Sequence, residues 1–192
     1  MQIKSELRRI FKEKRKRLID KEYKDELICK RLLSSSLYKN ADLILCYASL
    51  DTEISTDSII RSALAEGKRV ALPLCTDKNG NMKFYLINSL SDISEGAFGI
   101  KEPNAEKCGR VEDFTNSICI VPALSIDRSG YRLGYGKGYY DRFLKNYSSI
   151  SVGLCYNEFI SKELPIDEFD KAVDYIASED KIISVKEDKA YV

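Results

Sequence analysis

The chain contains no histidine. That absence removes Ser-His-Asp and Cys-His nucleophiles, histidine general bases and histidine metal ligands. Any catalysis must run on carboxylates, lysine, tyrosine, backbone dipoles or a hard cation. The six cysteines, Cys29, Cys46, Cys75, Cys108, Cys119 and Cys155, include no C-x-x-C pair. Cys46, Cys119 and Cys155 lie in apolar, strand-like runs, so reduced thiols filling small core sites are expected rather than a redox or metal site. No apolar run approaches the length of a bilayer span, and the N-terminus reads as a charged helix without a signal-peptide core. A cytoplasmic protein with no membrane partner is expected. Charge of one sign is not in excess either: 31 Lys and Arg against 30 Asp and Glu leave a net +1. That balance argues against a strongly cationic nucleic-acid binder, and no nucleic-acid partner is expected. The 192 residues are enough to bury a real core, most simply as a single domain over 1–192 and as a monomer.

Glycine is scarce but concentrated. Four of the ten glycines, Gly130, Gly134, Gly136 and Gly138, fall in the stretch SIDRSGYRLGYGKGYYDRF from Ser125 to Phe143, with Arg128, Arg132 and Lys137 among them. The stretch follows the apolar run Ile118 to Leu124. A bare backbone beside cations, at the exit of a buried strand, lets peptide N–H groups approach phosphate oxygens. The spacing fits neither the dinucleotide fingerprint, because Tyr139 stands in place of its third glycine, nor a P-loop, which needs a terminal Lys-Ser/Thr. Taken alone, the triplet is as well explained by a tight loop that binds nothing. Arg132 and Lys137 favour the phosphate reading, one as a planar fork and the other as a point charge. Asp141, in the first turn of the next helix, is either an ordinary helix-entry acid or a ligand of magnesium bridging phosphates, and the adjoining loop favours the metal. Asp167, Asp170 and Asp174 in the later segment PIDEFDKAVDYI are a source for one more carboxylate, although acids in such connectors are mostly solvated. Tyr131, Tyr135, Tyr139 and Tyr140 suit a flat heterocycle or simply the core.

The periodicity predicts helices over 2–19, Lys24 to Tyr38, Thr56 to Glu66 and Tyr139 to Tyr147, and strands over Asp42 to Ala48, Arg69 to Leu74, Met82 to Ile87, Ser117 to Ala123, Ile150 to Tyr156, Val173 to Ala177 and Lys181 to Val185. On the first helix Ile3, Leu7, Ile10, Phe11 and Leu18 form the apolar set. Lys4, Arg8 and Arg15 fall within roughly 40° of one another and make a cationic ridge, which is either a solvated face or a phosphate contact. Ile59, Ile60, Leu64 and Ala65 point inward on the third helix, and Gly67 stops it. Asp77 to Asn81 reads as a turn and Ser94 to Asn104 as an irregular loop too long to be an idle connection. Strands alternating with helices imply an α/β fold with a largely parallel central sheet flanked by helices, three-layered and Rossmann-like. Ligands of such folds bind beyond the carboxyl ends of the strands. Glu53, at the exit of the first strand, is either a helix-entry acid or an acceptor for an amidine-like edge.

The segment VPALSIDRSGYRLGYGKGYYDRFL, Val121 to Leu144, resembles the signature of the 5-formyltetrahydrofolate cyclo-ligase family. The resemblance extends to Lys4, Leu7 and Arg8 on the first helix, to Tyr47 to Thr56 with Glu53, to the KRVALPL strand, to GIKEP at Gly99 to Pro103 and to the Asp170 region. It implies ATP-dependent closure of 5-formyltetrahydrofolate to 5,10-methenyltetrahydrofolate, with ADP and phosphate released, ATP as co-substrate and Mg2+ as cofactor. It places the ATP phosphates on Lys4 and Arg8 and on the loop Arg132, Leu133, Gly134, Tyr135, Gly136, Lys137, Gly138, Tyr139 and Tyr140. It places folate on Ala48, Glu53 and Tyr135 to Tyr139, and the magnesium on Asp141 and Asp170. Within that set it makes Lys137, Arg132 and Tyr140 catalytic. Two other classes stay open on the residues alone: a phosphosugar isomerase or acyl-transfer enzyme that needs no ATP, and a non-catalytic folate or nucleotide module or basic-helix nucleic-acid binder.

Overall fold

Consecutive apolar residues in a strand are stable only where both faces of the sheet are covered. Leu43, Ile44 and Leu45 are all fully buried, as are Val70, Ala71 and Leu72, and Ile118 to Val121. The computed structural model, which describes residues 2–77, 80–96 and 101–188, meets that demand with a seven-stranded sheet. Its parallel centre is formed by β1 (Leu43–Leu45), β2 (Arg69–Cys75), β6 (Ser117–Pro122), β9 (Ile150–Leu154) and β11 (Tyr175–Ala177). β3 (Met82–Ile87) closes one edge and β12 (Ile182–Ser184) the other, each antiparallel to its neighbour. The spatial order is β12-β11-β9-β6-β1-β2-β3. Three short strands, β10 (Ile160–Ser161), β7 (Ser125–Asp127) and β8 (Arg132–Leu133), form a small sheet beyond the end of β6. β4 (Ile93–Glu95) and β5 (Lys101–Pro103) pair as a separate antiparallel ribbon.

The helices are α1 (Gln2–Lys16), α2 (Lys21–Ser34), α3 (Ser36–Lys39), α4 (Asp57–Ala65), α5 (Tyr139–Leu144) and α6 (Val185–Asp188). α4 joins β1 to β2, whereas α5 lies in the connection from β6 to β9, which runs the opposite way across the sheet. The right-handed sense of such crossovers assigns α4 and α5 to opposite faces. α2 packs beside α4. On the other side Phe143 of α5 meets Phe84 of β3 at 4.8 Å and Phe114 at 5.3 Å between ring centroids. Sequence order therefore reverses in space between β1 and β6, and the loops leaving these two strands diverge. A crevice opens between them.

The layered α/β architecture matches the sequence expectation, and several local boundaries move. α1 stops at Lys16 rather than residue 19, with tightened last turns from Arg17 N–H to the Lys14 carbonyl and from Leu18 N–H to the Arg15 carbonyl. Ile3 is exposed, not apolar filling, while Arg15 is buried. The expected Lys24 to Tyr38 helix is divided because Ser35 is extended and caps α3, its hydroxyl accepting from Tyr38 N–H at 3.3 Å. Ala63, not Ala65, faces the core of α4. Gly67, at φ +75°, ends that helix with Gly67 N–H donating to Leu64 and Lys68 N–H to Ala63, the paired bonds of a left-handed stop. The first strand is regular only over Leu43–Leu45, since the chain beyond turns away at the crevice. α5 ends at Leu144, short of Tyr147, and β9 ends at Leu154, short of Tyr156. The Ser94 to Asn104 segment is partly the β4–β5 ribbon. Ala97 to Ile100, including Gly99 and Ile100 of GIKEP, and Lys78 and Asn79 of the Asp77 to Asn81 turn lie outside the described residues.

One buried acid ties the small sheet to the rest. The Asp127 Oδ1 accepts from Ser129 and Tyr131 N–H at 2.9 and 3.1 Å, and its Oδ2 from Leu164 N–H at 3.1 Å. It thereby fixes both the turn before the glycine loop and the later acidic segment. Removing it orphans three backbone donors, each costing on the order of 1 kcal/mol or more when buried. Asp127→Ala should lower the unfolding free energy by about 2–3 kcal/mol, read as a shifted urea midpoint at constant slope. Asp127→Asn, which keeps one acceptor oxygen, should lose less.

Candidate active site

The crevice is a cavity of about 470 Å³ walled by the β1 exit, the β6 exit, the glycine loop, α1 and the acidic segment. Lys4, Arg8, Ala48, Glu53, Arg132, Leu133, Gly134, Tyr135, Gly136, Lys137, Gly138, Tyr139, Tyr140, Asp141 and Asp170 all line it. The residues singled out from sequence are thus gathered in one place from opposite ends of the chain.

The charged end is built around the glycine loop. Gly136 and Gly138 have φ of +97° and +71°, a region that side-chain-bearing residues avoid. At Gly136 a Cβ would sit 3.1 Å from the Arg8 guanidinium carbon, so the missing side chain also lets that cation approach. Arg8 Nε donates to the Gly134 carbonyl at 2.9 Å, pinning α1 to the loop. Lys4 Nζ donates to Asp167 at 2.7 Å and to Asp170 at 2.5 Å, pinning α1 to the acidic segment. Partial burial pulls the Lys4 ammonium down, but hydrogen bonds to Asp167 and Asp170 more than offset it and hold it above the ordinary lysine value. The Arg132 side chain is almost fully buried and forks between the Lys171 carbonyl at 2.5 Å and Asp141 Oδ1 at 2.9 Å. Lys171 N–H also reaches Asp141 Oδ1, at 3.2 Å. One guanidinium therefore locks Asp141 beside the residue that follows Asp170. Lys137 differs: it is exposed, and among the described residues its side chain makes no hydrogen bond or ion pair.

Asp141 and Asp170 suit a magnesium ion that arrives on phosphates. Both are hard oxygen donors on the cavity wall, held close by the Arg132–Lys171 link. Among the described residues no group of three or more His, Cys, Asp or Glu is arranged to hold a metal by itself. Two carboxylates completed by phosphate and water oxygens is the usual magnesium arrangement.

The other end is aromatic and encloses a single acid. Glu53 is buried, and its Oε2 accepts from Leu50 N–H at 2.9 Å. Burial pushes its carboxyl above the ordinary carboxylate range, against the opposing pull of Leu50 N–H, Arg15, the Tyr135 hydroxyl and Lys21. Burial pushes the Tyr135 hydroxyl up to about 12. Burial raises the Tyr140 hydroxyl too, and that hydroxyl is buried with no partner among the described residues. A buried, unpaired hydroxyl on a cavity wall is a group that a polar ligand edge can satisfy.

Tyr47, Leu50, Pro73, Cys75, Met82, Lys101, Glu102, Pro122 and Asp167 also line the cavity. Tyr47 and Pro122 follow from their strand exits. Cys75 and Met82 carry no local signal, because they arrive through the β2–β3 pairing that sets them opposite one another. Cys75 is the exposed thiol, whereas the other five cysteines are buried and free, the state expected of core thiols.

The chain matches the model of the 5-formyltetrahydrofolate cyclo-ligase family over residues 1–179. It is similar to a probable 5-formyltetrahydrofolate cyclo-ligase of Schizosaccharomyces pombe, at 29% identity over 171 residues, covering 81% of this chain and 84% of that protein. It is also similar to a 5-formyltetrahydrofolate cyclo-ligase of Haemophilus influenzae, at 34% identity over 137 residues, covering 69% and 73%. The NMR structure of 5,10-methenyltetrahydrofolate synthetase from Aquifex aeolicus superposes with a TM-score of 0.84 at 31% identity, covering 96% of this chain and 93% of that one. With the motif, the fold and the match over nearly the whole sequence in agreement, the chain belongs to the 5-formyltetrahydrofolate cyclo-ligase family.

Proposed function

We propose that the chain, acting as one domain, converts 5-formyltetrahydrofolate and ATP to 5,10-methenyltetrahydrofolate, ADP and phosphate in a Mg2+-dependent reaction. The observation that carries this reading is the shared cavity, with a cationic glycine loop on one side and a buried acid among aromatic rings on the other. A phosphate donor and a heterocycle with a polar edge can meet there.

The chemistry follows from the substrate. A formyl group on nitrogen is amide-like and resists attack by the neighbouring N10. Its oxygen attacks the γ-phosphorus, the bond to the bridging oxygen of ADP breaks, and the formyl carbon becomes electrophilic. N10 then bonds to that carbon, the phosphorylated oxygen leaves as phosphate, and the N10 proton is released. Little proton transfer is asked of the protein, in keeping with a chain that lacks histidine. Alignment and charge neutralisation are what the site must provide. Lys4, Arg8 and the Gly134 to Gly138 amides hold the phosphates, and Lys137, without a side-chain partner among the described residues, follows the transferring group. Arg132 fixes Asp141, and Asp141 with Asp170 would hold the magnesium, which would supply positive charge to offset that of the transferring phosphate. Glu53 accepts from the aminopyrimidine edge, with Ala48 and Tyr135 against the ring.

The test is a rise in absorbance in the band of the methenyl product when protein is mixed with 5-formyltetrahydrofolate, magnesium and ATP; folded protein that gives no ATP-dependent rise would overturn the reading. A charged hydrogen bond is worth about 1.5–3 kcal/mol, roughly ten- to a hundredfold. Lys137→Ala and Asp141→Asn should lower kcat by that factor with a smaller effect on folate KM. Glu53→Gln should raise folate KM by a similar factor and leave ATP KM unchanged; the opposite pattern would mean that the two pockets are exchanged.

A further inference from the structure

Arg15 shares a helix face with Lys4 and Arg8, yet it is the member of the ridge that turns inward and is 5% exposed. Its Nη1 donates to the Thr52 carbonyl at 3.0 Å and its Nη2 to the Ala123 carbonyl. Thr52 is in the loop leaving β1 and Ala123 directly follows β6. One guanidinium therefore bridges the two sides of the crevice, one residue away from Glu53. Its central carbon lies over the Tyr156 ring, 5.5 Å from the centroid. The Tyr156 hydroxyl donates to Asp25 Oδ1 at 2.5 Å, and Asp25 Oδ2 accepts from Ser55 N–H at 3.1 Å and from Lys21 at 2.7 Å. The Glu53 loop is held on both flanks by this chain of contacts, through Thr52 and through Ser55.

We infer that Arg15 is a positioning residue for folate recognition: its buried guanidinium fixes the Glu53 loop across the crevice and supplies the positive field under which Glu53 accepts the aminopyrimidine edge. This rests on the proposed reading of Glu53 as the folate acceptor. Burying a cation is costly without compensation. Two carbonyls and an aromatic face offset much of that cost here, while the buried Nε has no hydrogen-bond partner and Arg15 no ion pair among the described residues. The Glu53 carboxylate is among the groups that its field reaches, together with the phenols of Tyr47, Tyr135 and Tyr156 and the Cys155 thiol. The other groups that act on Glu53 are Leu50 N–H in its own loop, Tyr135 in the glycine loop and Lys21 at the start of α2, while Tyr47 and Tyr140 feel the Glu53 charge from the β1 exit and α5. The phenols are neutral near neutrality, so Arg15 and Lys21 are the cations that favour ionised Glu53.

The consequence for pH has a definite sign. Burial raises the Glu53 carboxyl and Arg15 opposes that rise. Losing the Arg15 charge therefore moves protonation to higher pH, and a protonated Glu53 cannot accept two donors from the edge. Binding of 5-formyltetrahydrofolate, measured calorimetrically across pH in the absence of nucleotide, should weaken in Arg15→Met about tenfold at neutral pH. The acidic limb of its affinity should move upward by roughly 0.5–1 pH unit. Affinity for a non-hydrolysable ATP analogue with magnesium should stay within about twofold. Arg15→Lys keeps the charge but not the two-carbonyl fork, so its limb should stay at the wild-type pH while affinity falls severalfold; this variant carries the test if Arg15→Met does not fold. A limb unmoved in Arg15→Met, wild-type affinity in Arg15→Lys, or equal losses of folate and nucleotide affinity would each overturn the inference. Failure of the wild type to bind 5-formyltetrahydrofolate at all would instead overturn the functional reading beneath it.

Discussion

The reversal of strand order between β1 and β6 is the constraint on which the site depends. Where parallel strands end, their last carbonyls lose ladder partners, and diverging loops leave those carbonyls facing one another across a gap. A buried carbonyl accepts only from a donor, so the gap calls for N–H groups, and a guanidinium offers several in one plane. α1 supplies it. Arg15 meets the carbonyls of Thr52 and Ala123, while about two turns toward the N-terminus Arg8 meets that of Gly134. The basic ridge of the first helix is thus a structural answer to carbonyls at the strand ends as well as a source of charge for a ligand.

The same economy governs the charged end of the cavity. Lys4 is paired with Asp167 and Asp170, and Arg132 with Asp141. Five basic and five acidic side chains line the cavity, so its formal charge is balanced. A bare polyanion gains little from such a cavity as a whole. The proposed substrate, a nucleotide carrying its own divalent ion, would be a better match, its phosphate oxygens facing the cations and the ion facing the carboxylates. Exchange is easiest at the Lys4–Asp167 pair, because Asp167 is mostly exposed and an ion pair of that kind contributes little. The almost fully buried Arg132 fork is worth more where it is, holding Asp141 at a fixed position.

The layered fold was legible in the sequence because its signals are local and redundant: unbroken apolar runs for strands buried on both faces, 3.6-residue spacing for the helices, and Gly67 at a helix stop. The candidate site was legible for a different reason, since strand exits carry ligands in such sheets and the glycine loop marks one of them. What stayed hidden depends on tertiary context. Arg15 reads as part of a surface ridge, because periodicity gives its angle on the helix but not the carbonyls that await it. Ile3 reads as core by the same logic and is exposed, since the helix presents Lys4 and Arg8 to the crevice at that end. Asp127 looks like one more loop acid until its three backbone donors are seen, and Cys75 joins the cavity only through strand pairing.

A site without histidine has few ways to respond to pH near neutrality, and burial narrows them further. Desolvation drives the hydroxyls of Tyr47, Tyr135 and Tyr140 upward, away from any role as bases. It drives the exposed-edge thiol Cys75 upward too, away from the thiolate. Glu53 moves in the same direction for the same reason, but as an acid it begins below neutrality and is carried toward it. Burial therefore silences the phenols and sensitises the carboxyl. On the proposed reading of Glu53 as the folate acceptor, its ionisation is the point where recognition and proton concentration meet, and the surrounding cations set how far toward neutrality that point lies.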